Sequence, residues 1–446
     1  MIPTVKTSRR RYIALGLILI LILMGWTARH IIQIVQISNG QPQNQFSILW
    51  VLVFGSLMWH LGLAWMEKPY KTNKRQQKKL DKLVVTLNVP IYNEDPRVVR
   101  LVLNSLIGQT RKPNRIQVVD DGSEEDYKNI RKWWYRKAKA AGIKASWVRT
   151  ENSGKRHAQL TTFLKDDDAD IFITIDSDTV IESNGVEEGL KPFARKDVTS
   201  VAAIILAQNS SASWFTRLTD PWLLTFQLGV RSALSKLGSV LVNSGNYSLY
   251  RAKIIREGAD VYANEHFFGH PVQFSDDSLL TTFAYLKGRT VQQPTAIGFT
   301  VLPENVNHHL RQQLRWMRGS FIRSWWRFRY LPIRSFAYWE HFASWLNFSL
   351  IFFAFGYIWV YAPLINHKVI PGLLLFSVLT SYASSLKYLT IQRSDQSFRW
   401  QVLTYLMSPI MMLWTALFLR PLRIYSMITC YKTGWGTRKK VEVKLA

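Results

Sequence analysis

Long apolar runs stand at both ends of this 446-residue chain, and charge fills the middle. Residues 12–35 and 46–66 form the first two, and residues 338–361 and 370–390 form two more. Each holds the roughly 20 helical residues that a ~30 Å hydrocarbon core requires. Such a chain is predicted to place a soluble domain between two sets of membrane helices. The first run follows Arg9, Arg10 and Arg11, lacks a small-residue cleavage site and is soon followed by another span, which separates it from a signal peptide. Lys68, Lys71, Lys74, Arg75, Lys78 and Lys79 crowd the far flank of the second run, whereas residues 38–45 carry no charge. The positive-inside rule therefore puts the N-terminus and the segment after Met66 in the cytoplasm. A last apolar stretch, 400–430, is broken by Ser408-Pro409 and Arg420-Pro421 and reads as a hairpin or an interfacial element. With a cytoplasmic tail, parity excludes a single crossing there.

The net charge of +27 (57 basic against 30 acidic residues) suits an anionic membrane surface and an anionic substrate. No zinc-finger spacing or basic heptad array accompanies it, so nucleic acid is not the expected partner. Cys430 is the single cysteine, which rules out an internal disulfide and a thiol–metal site.

From about residue 82 the pattern becomes that of an α/β domain. Residues 83–89 read as a buried strand stopped by Pro90, and 98–106 as a helix. Residues 116–119, 145–148 and 171–175 read as further strands. Strands alternating with helices imply a mainly parallel sheet, with ligands at the carboxyl ends of the strands. The acidic clusters fall at those ends. Residues 312–330, rich in Trp and Arg, suit a helix lying in the membrane interface, and 214–237 reads as another.

Asp176-Ser177-Asp178 closes one strand. Two carboxylates one residue apart can share a hard divalent cation that bridges a diphosphate. Alone, such a pair is more often a solvated acidic turn. Asp120 and Asp121 end another strand, ready for a base, a ribose or the metal. Tyr92, in Pro90-Ile91-Tyr92-Asn93-Glu94, can stack on a base. Lys155 and Arg156 beside Gly154 suit a diphosphate. Ser275-Asp276-Asp277 precedes an apolar helix; one Asp can cap it while the other takes a proton from an attacking hydroxyl. Gln312, Arg315 and Trp316 lie on adjacent turns of one helix face, where Arg can clamp phosphate and Trp can stack on a sugar.

Together and in this order, P-x-Y-N-E, D-D-G-S, G-K-R-H-A-Q, D-S-D, S-D-D, Q-x-x-R-W and W-G-T-R resemble the processive family 2 glycosyltransferases, from Lys82 to the end of the chain. The likeness is strongest to bacterial, streptococcal-like hyaluronan synthases. The resemblance implies a GT-A-like cytoplasmic domain, mainly parallel in its sheet, inserted between N-terminal and C-terminal transmembrane helices with interfacial amphipathic helices. It divides the chain into 1–80 (two membrane helices and a basic flank), 81–306 (transferase domain), 307–335 (interfacial helix), 336–430 (membrane and interfacial helices) and 431–446 (a gating tail). It gives Tyr92 and Asp120 or Asp121 to the uridine, and Lys155 and Arg156 to the donor. Asp178, with Asp176, takes Mg²⁺ or Mn²⁺, and Asp277 is the general base. Trp316 lies under the acceptor sugar with Gln312 on the same helix, Arg315 lies near the diphosphate, and Trp435 and Arg438 belong to a loop closing over the donor. The implied reaction is inverting transfer from UDP-sugars to a growing polysaccharide, exported across the plasma membrane by a multi-pass protein that contacts lipid and calls for no protein partner. The product implied is hyaluronan, from UDP-GlcNAc and UDP-GlcA. Alternatives are a chitin-oligosaccharide or other capsule polymer, or, further off, a non-processive lipid glycosyltransferase. Two segments depart from the pattern: Asn246-Tyr247 stands where hyaluronan synthases carry Pro-Leu, and Met317-Arg318-Gly319 follows the R-W pair.

Overall fold

The structure, a computed structural model, describes residues 2–8, 10–39 and 44–434. At the N-terminal end, helix α1 (Arg10–Asn39) and helix α2 (Asn44–Met66) follow the two predicted runs. Then comes an eight-stranded sheet: β1 (Val85–Ile91), β2 (Arg115–Asp121), β3 (Lys144–Thr150), β4 (Ile171–Ile175), β5 (Val180–Ile181), β6 (Val198–Ala207), β7 (Tyr247–Arg251) and β8 (Arg289–Thr300). Their spatial order is β3-β2-β1-β4-β7-β6-β8-β5. Only β7 and β5 run against their neighbours, so the sheet is mainly parallel, as the alternation predicts.

Two strand limits differ from expectation. Strand β1 does not stop at Pro90 but continues to Ile91, with Pro90 opposite Val119 of β2. Pairing with β4 ends at Asn88, so Pro90 lies where β1 has a single neighbour and its missing N–H is tolerated. Strand β2 extends through Asp120 and Asp121, which are therefore part of the ladder.

Helix α3 (Lys155–Lys165) packs beside β1 and β2. Residues 214–237 bury one face and leave Trp214, Phe226 and Val230 exposed on the other. Helix α4 (Trp214–Phe226) runs through a π-turn into Ser232–Leu237, and Leu224 and Leu228 join a core with Met24 of α1, Leu61 of α2, Ile204 and Leu206 of β6 and Phe299 of β8. One hydrophobic cluster thus joins one part of the sheet, in β6 and β8, to the apolar helices, while the main core of the sheet is a separate cluster. Helix α5 (Asp276–Lys287) precedes β8, and helix α6 (Val306–Tyr330) covers the predicted interfacial segment.

The C-terminal part holds α7 (Phe336–Gly356), α8 (Ile370–Ser385), α9 (Phe398–Leu406), α10 (Ser408–Trp414) and α11 (Arg420–Ile428). Among the described residues, Arg10–Val35 and His367–Thr390 are long and apolar enough to cross a membrane. The pair Phe398–Leu406 and Ser408–Ile428, bent by 40°, makes a third if taken as one span. The chain bends once, at Met407. Arg420-Pro421 does not break it, because a π-turn at Thr415–Leu419 absorbs the hydrogen bond that proline cannot donate.

Buried polar groups lock these parts together. Glu67, after α2, accepts from Ser232 Oγ (2.5 Å), Lys387 Nζ (3.2 Å) and Gln292 Nε2 (3.2 Å), and its carbonyl accepts from Arg10 Nη2 (2.5 Å). Lys387→Met is expected to leave this carboxylate buried and uncompensated, at a cost of about 3–5 kcal/mol. A fall in the melting temperature of the solubilised protein, largely restored by adding Glu67→Gln, checks it.

Candidate active site

The carboxyl ends of β1, β2 and β4 open on one side of the sheet, and the loops there face helices α3 and α5. Tyr92, just past β1, is half-buried. Asn93 adopts φ +47°, and its N–H donates to Ser123 Oγ (3.0 Å) after β2. Glu94 is buried and accepts from Ser177 Oγ (2.9 Å) in the middle of the Asp-Ser-Asp turn. A residue that composition did not single out thus ties the end of β1 to that of β4.

Asp120 and Asp121 point to opposite faces of β2, as successive strand residues must. Both are buried and committed to backbone N–H groups. Asp120 accepts from Ser123 N–H (3.0 Å), which shapes its own turn. Asp121 accepts from Ser153 (3.0 Å) and Gly154 (2.9 Å), which places the loop before α3; burial pushes its pKa up despite these bonds. Gly122 (φ +73°) has no room for a side chain, since a Cβ would stand 2.7 Å from Asn152 N.

That loop delivers Lys155. Its ammonium lies 2.6 Å from Asp176 Oδ1 and 3.1 Å from Asp276 Oδ2. Burial alone would lower the lysine pKa, but Asp176 and Asp276 hold it above the ordinary range. Asp276 is pulled low in turn: Lys155 and Arg156 outweigh its burial. Asp277 is the second residue of α5, whose N-cap is Ser275, and its Oδ1 accepts from Ser278 N–H (2.7 Å) and its Oδ2 from Gly245 N–H (3.0 Å). Burial, then the charge of Asp276, pushes its pKa up to about 6. A carboxylate so raised is suited to collecting a proton near neutral pH.

Asp178 Oδ1 accepts from Thr300 Oγ1 (3.3 Å), and Asn246 Nδ2 reaches Thr300 Oγ1 (3.3 Å) and Thr179 Oγ1 (3.4 Å). Asn246, the residue at which the sequence departs from its family pattern, therefore sits directly beside the Asp-Ser-Asp turn. Asp176 and Asp178 are both partly exposed, and the Lys155 ammonium already rests on Asp176, a place that accepts positive charge. Among the described residues no three His, Cys, Asp or Glu converge as an all-protein cage. Two carboxylates fit Mg²⁺ or Mn²⁺ that completes its shell with diphosphate oxygens.

Helix α6 crosses this site. Gly319 packs so tightly on the Ser275 turn that a Cβ would stand 2.8 Å from Ser275 Cβ. Gln312, Arg315 and Trp316 share its helical stripe, at spacings of three and four residues. Trp316 is 43% exposed and free to meet a sugar. Gly319→Ala is expected to cost about 1–3 kcal/mol by overpacking. It should also slow transfer more than it raises the donor KM, which steady-state kinetics on the folded variant would show.

Arg156 does not share the cleft with Lys155. Its guanidinium is buried, pairs with Glu265 (2.7 Å) and donates to Phe274 O (2.7 Å). The expectation that both cations face the donor overlooked the helix: adjacent residues on α3 point about 100° apart. Trp435 and Arg438 lie outside the described residues, but Thr433 O accepts from Gln273 N–H (3.2 Å), which brings the start of the tail to the Ser275 turn.

The family described as "Glycosyl transferase family 2" matches residues 86–258. A hyaluronan synthase of Streptococcus pyogenes is 32% identical over 398 residues, 88% of this chain and 91% of the relative. An N-acetylglucosaminyltransferase of Rhizobium meliloti is 33% identical over 243 residues, 53% of this chain and 55% of its own length. A solved mannosyltransferase of Pyrobaculum calidifontis covers 84% of this chain and 98% of its own at a TM-score of 0.48 and 17% identity. The kinship with the streptococcal synthases runs through both the sheet and the flanking helices, so the chain is a glycosyltransferase that belongs to family 2, as a homologue of the bacterial hyaluronan synthases.

Proposed function

We propose that this chain is a processive, inverting UDP-sugar transferase of the plasma membrane that extends and exports a polysaccharide, with hyaluronan as the product. The observation that carries the reading is the convergence of Lys155, Asp176, Asp276 and Asp277 at the strand ends, with α6 lying across them. In this reading Tyr92 stacks on the uracil, and Asp120 and Asp121 shape its pocket by holding the loops around it. Lys155 sits at the diphosphate end. Asp176 and Asp178 would hold Mg²⁺ or Mn²⁺, which when bound neutralises charge on the departing UDP. Asp277 takes the proton from the acceptor hydroxyl, and that oxygen attacks the anomeric carbon from the side opposite the leaving group. Trp316 supports the acceptor sugar, Gln312 orients it, and Arg315 lies towards the diphosphate. Trp435 and Arg438 close the donor pocket from the tail. Residues 1–80 and 336–430 hold the protein in the bilayer through several crossings, and the catalytic domain faces the cytoplasm.

The test is to supply membranes containing the protein with single and paired UDP-sugars plus Mg²⁺ or Mn²⁺. High-molecular-weight product from UDP-GlcNAc with UDP-GlcA, and from neither alone, is the expected result. Product from UDP-GlcNAc alone would support the second reading, a chitin-type oligosaccharide. That reading is favoured by the rhizobial relative and by Asn246 in the wall beside Asp178.

A further inference from the structure

Behind the Asp276-Asp277 pair, away from the cleft, three charged side chains are buried together. Glu265 is 5% exposed and Arg323 0%. The two carboxylate oxygens of Glu265 take both ends of the Arg323 guanidinium, Nη1 to Oε1 at 2.8 Å and Nη2 to Oε2 at 3.2 Å. Glu265 Oε2 also pairs with Arg156 Nη1 at 2.7 Å. Each arginine then donates into the turn that bears the acids. Arg156 Nη2 donates to Phe274 O (2.7 Å); Arg323 Nη2 donates to Ser275 O (3.2 Å), and its Nε to Ser278 Oγ (3.1 Å).

That turn needs holding. Ser275 lies at φ +62°, in the left-handed region, which costs a residue other than glycine about 1–3 kcal/mol unless its surroundings enforce it. The carbonyls of residues 274 and 275 are pinned by two guanidinium groups, and both groups are held by Glu265. The arginines also come from different walls of the site. Arg156 follows Lys155 on α3, and Arg323 lies on α6, two helical turns beyond Arg315 and Trp316.

We propose that Glu265 is a positioning residue for sugar transfer: through Arg156 and Arg323 it fixes the 274–278 turn, and so sets Asp277 in register with both the donor-side helix and the acceptor-side helix. The proposal rests on reading Asp277 as the base. It assigns Glu265 no contact with substrate and no proton of its own. Buried ion pairs often add little net stability, so the arrangement is better accounted for by the geometry it enforces.

The experiment uses the full-length protein in detergent or nanodiscs, with Glu265→Gln, Glu265→Asp and Arg323→Lys. The readouts are folded yield, UDP affinity by inhibition, donor KM and kcat. The Gln variant keeps the shape but cannot hold two guanidinium groups. It is expected to keep UDP affinity and donor KM within about twofold while kcat falls roughly ten- to a hundredfold, the scale of a small misplacement of a reacting group. The Asp variant should recover part of that loss. If the Gln variant fails to fold, Arg323→Lys carries the test, since lysine keeps the charge but cannot fork; the same kcat-only loss is expected. An unchanged kcat overturns the proposal, and so does a kcat loss matched by an equal loss of UDP-binding protein. Asp277→Asn separates the two claims. If it is inactive while Glu265→Gln is fully active, only the positioning role fails; if it is active, the base assignment itself is wrong.

Discussion

Asp277→Asn lowers the transfer rate by roughly 10²–10⁴-fold, the usual worth of a general base, while UDP inhibition constants stay near those of the unaltered protein. The expectation follows from where the carboxylate sits. Both oxygens accept backbone N–H groups, from Gly245 and Ser278, so its position is set by the β7-proximal loop and the start of α5, not by the nucleotide. An amide keeps the volume but presents an NH₂ to one of those donors. That costs about 1–3 kcal/mol, so a thermal melt must accompany the assay. The pH profile supplies a second reading. With the Asp277 pKa pushed up to about 6 by burial and by Asp276, the base is lost to protonation as pH falls through 6. The acid limb of kcat/KM should therefore lie near 6 rather than near the ~4 of an ordinary carboxylate, and should be absent from the residual rate of the Asn variant. An acid limb at 4 would remove Asp277 from this role.

Asp178→Ala, or a chelator in excess over divalent cation, should lower activity by roughly 10²–10³-fold or more, as the loss of charge stabilisation at a leaving group does. Restoring Mn²⁺ or Mg²⁺ should rescue the chelated protein but not the variant. Asp178 is the better position to test than Asp176. The Asp176 carboxylate also neutralises Lys155 at 2.6 Å, so its removal disturbs Lys155 and through it Asp276, whereas Asp178 accepts from the Thr179 and Thr300 hydroxyls, both at 3.3 Å. Titration of Mn²⁺ binding in the presence of UDP reads the same site without turnover. Full activity of the variant in chelator would exclude the metal role.

Much of this was legible in the chain itself. The apolar runs at both ends, the buried strands read at residues 83–89, 116–119 and 171–175 and found at 85–91, 115–121 and 171–175, and the acids near their carboxyl ends follow from local periodicity, because a strand or helix displays its buried face in the order of its residues. The order of the motifs was enough to identify the family. Proline at 90 misled because its cost depends on whether a neighbouring strand needs its N–H, and that is a property of the sheet rather than of the segment.

The partners of the charged side chains belong to tertiary structure alone. Lys155 and Arg156 are adjacent and chemically alike, yet one meets Asp176 in the cleft and the other Glu265 in the interior. Glu265 had no sequence signal at all: a single acid in an unremarkable loop, 109 and 58 residues from the arginines it holds (265 less 156, and 323 less 265). Asp120 and Asp121 were read as partners of a nucleotide, and that they also accept the backbone N–H groups of Ser123, Ser153 and Gly154 had no signal along the chain. The sequence by itself determined which elements form and that carboxylates gather at their ends, because those features depend on neighbours along the chain. Which carboxylate meets a cation, which is held by backbone and which is left raised near pH 6 was decided only when the crossovers of the sheet brought distant loops together, because electrostatic partners depend on distance in space.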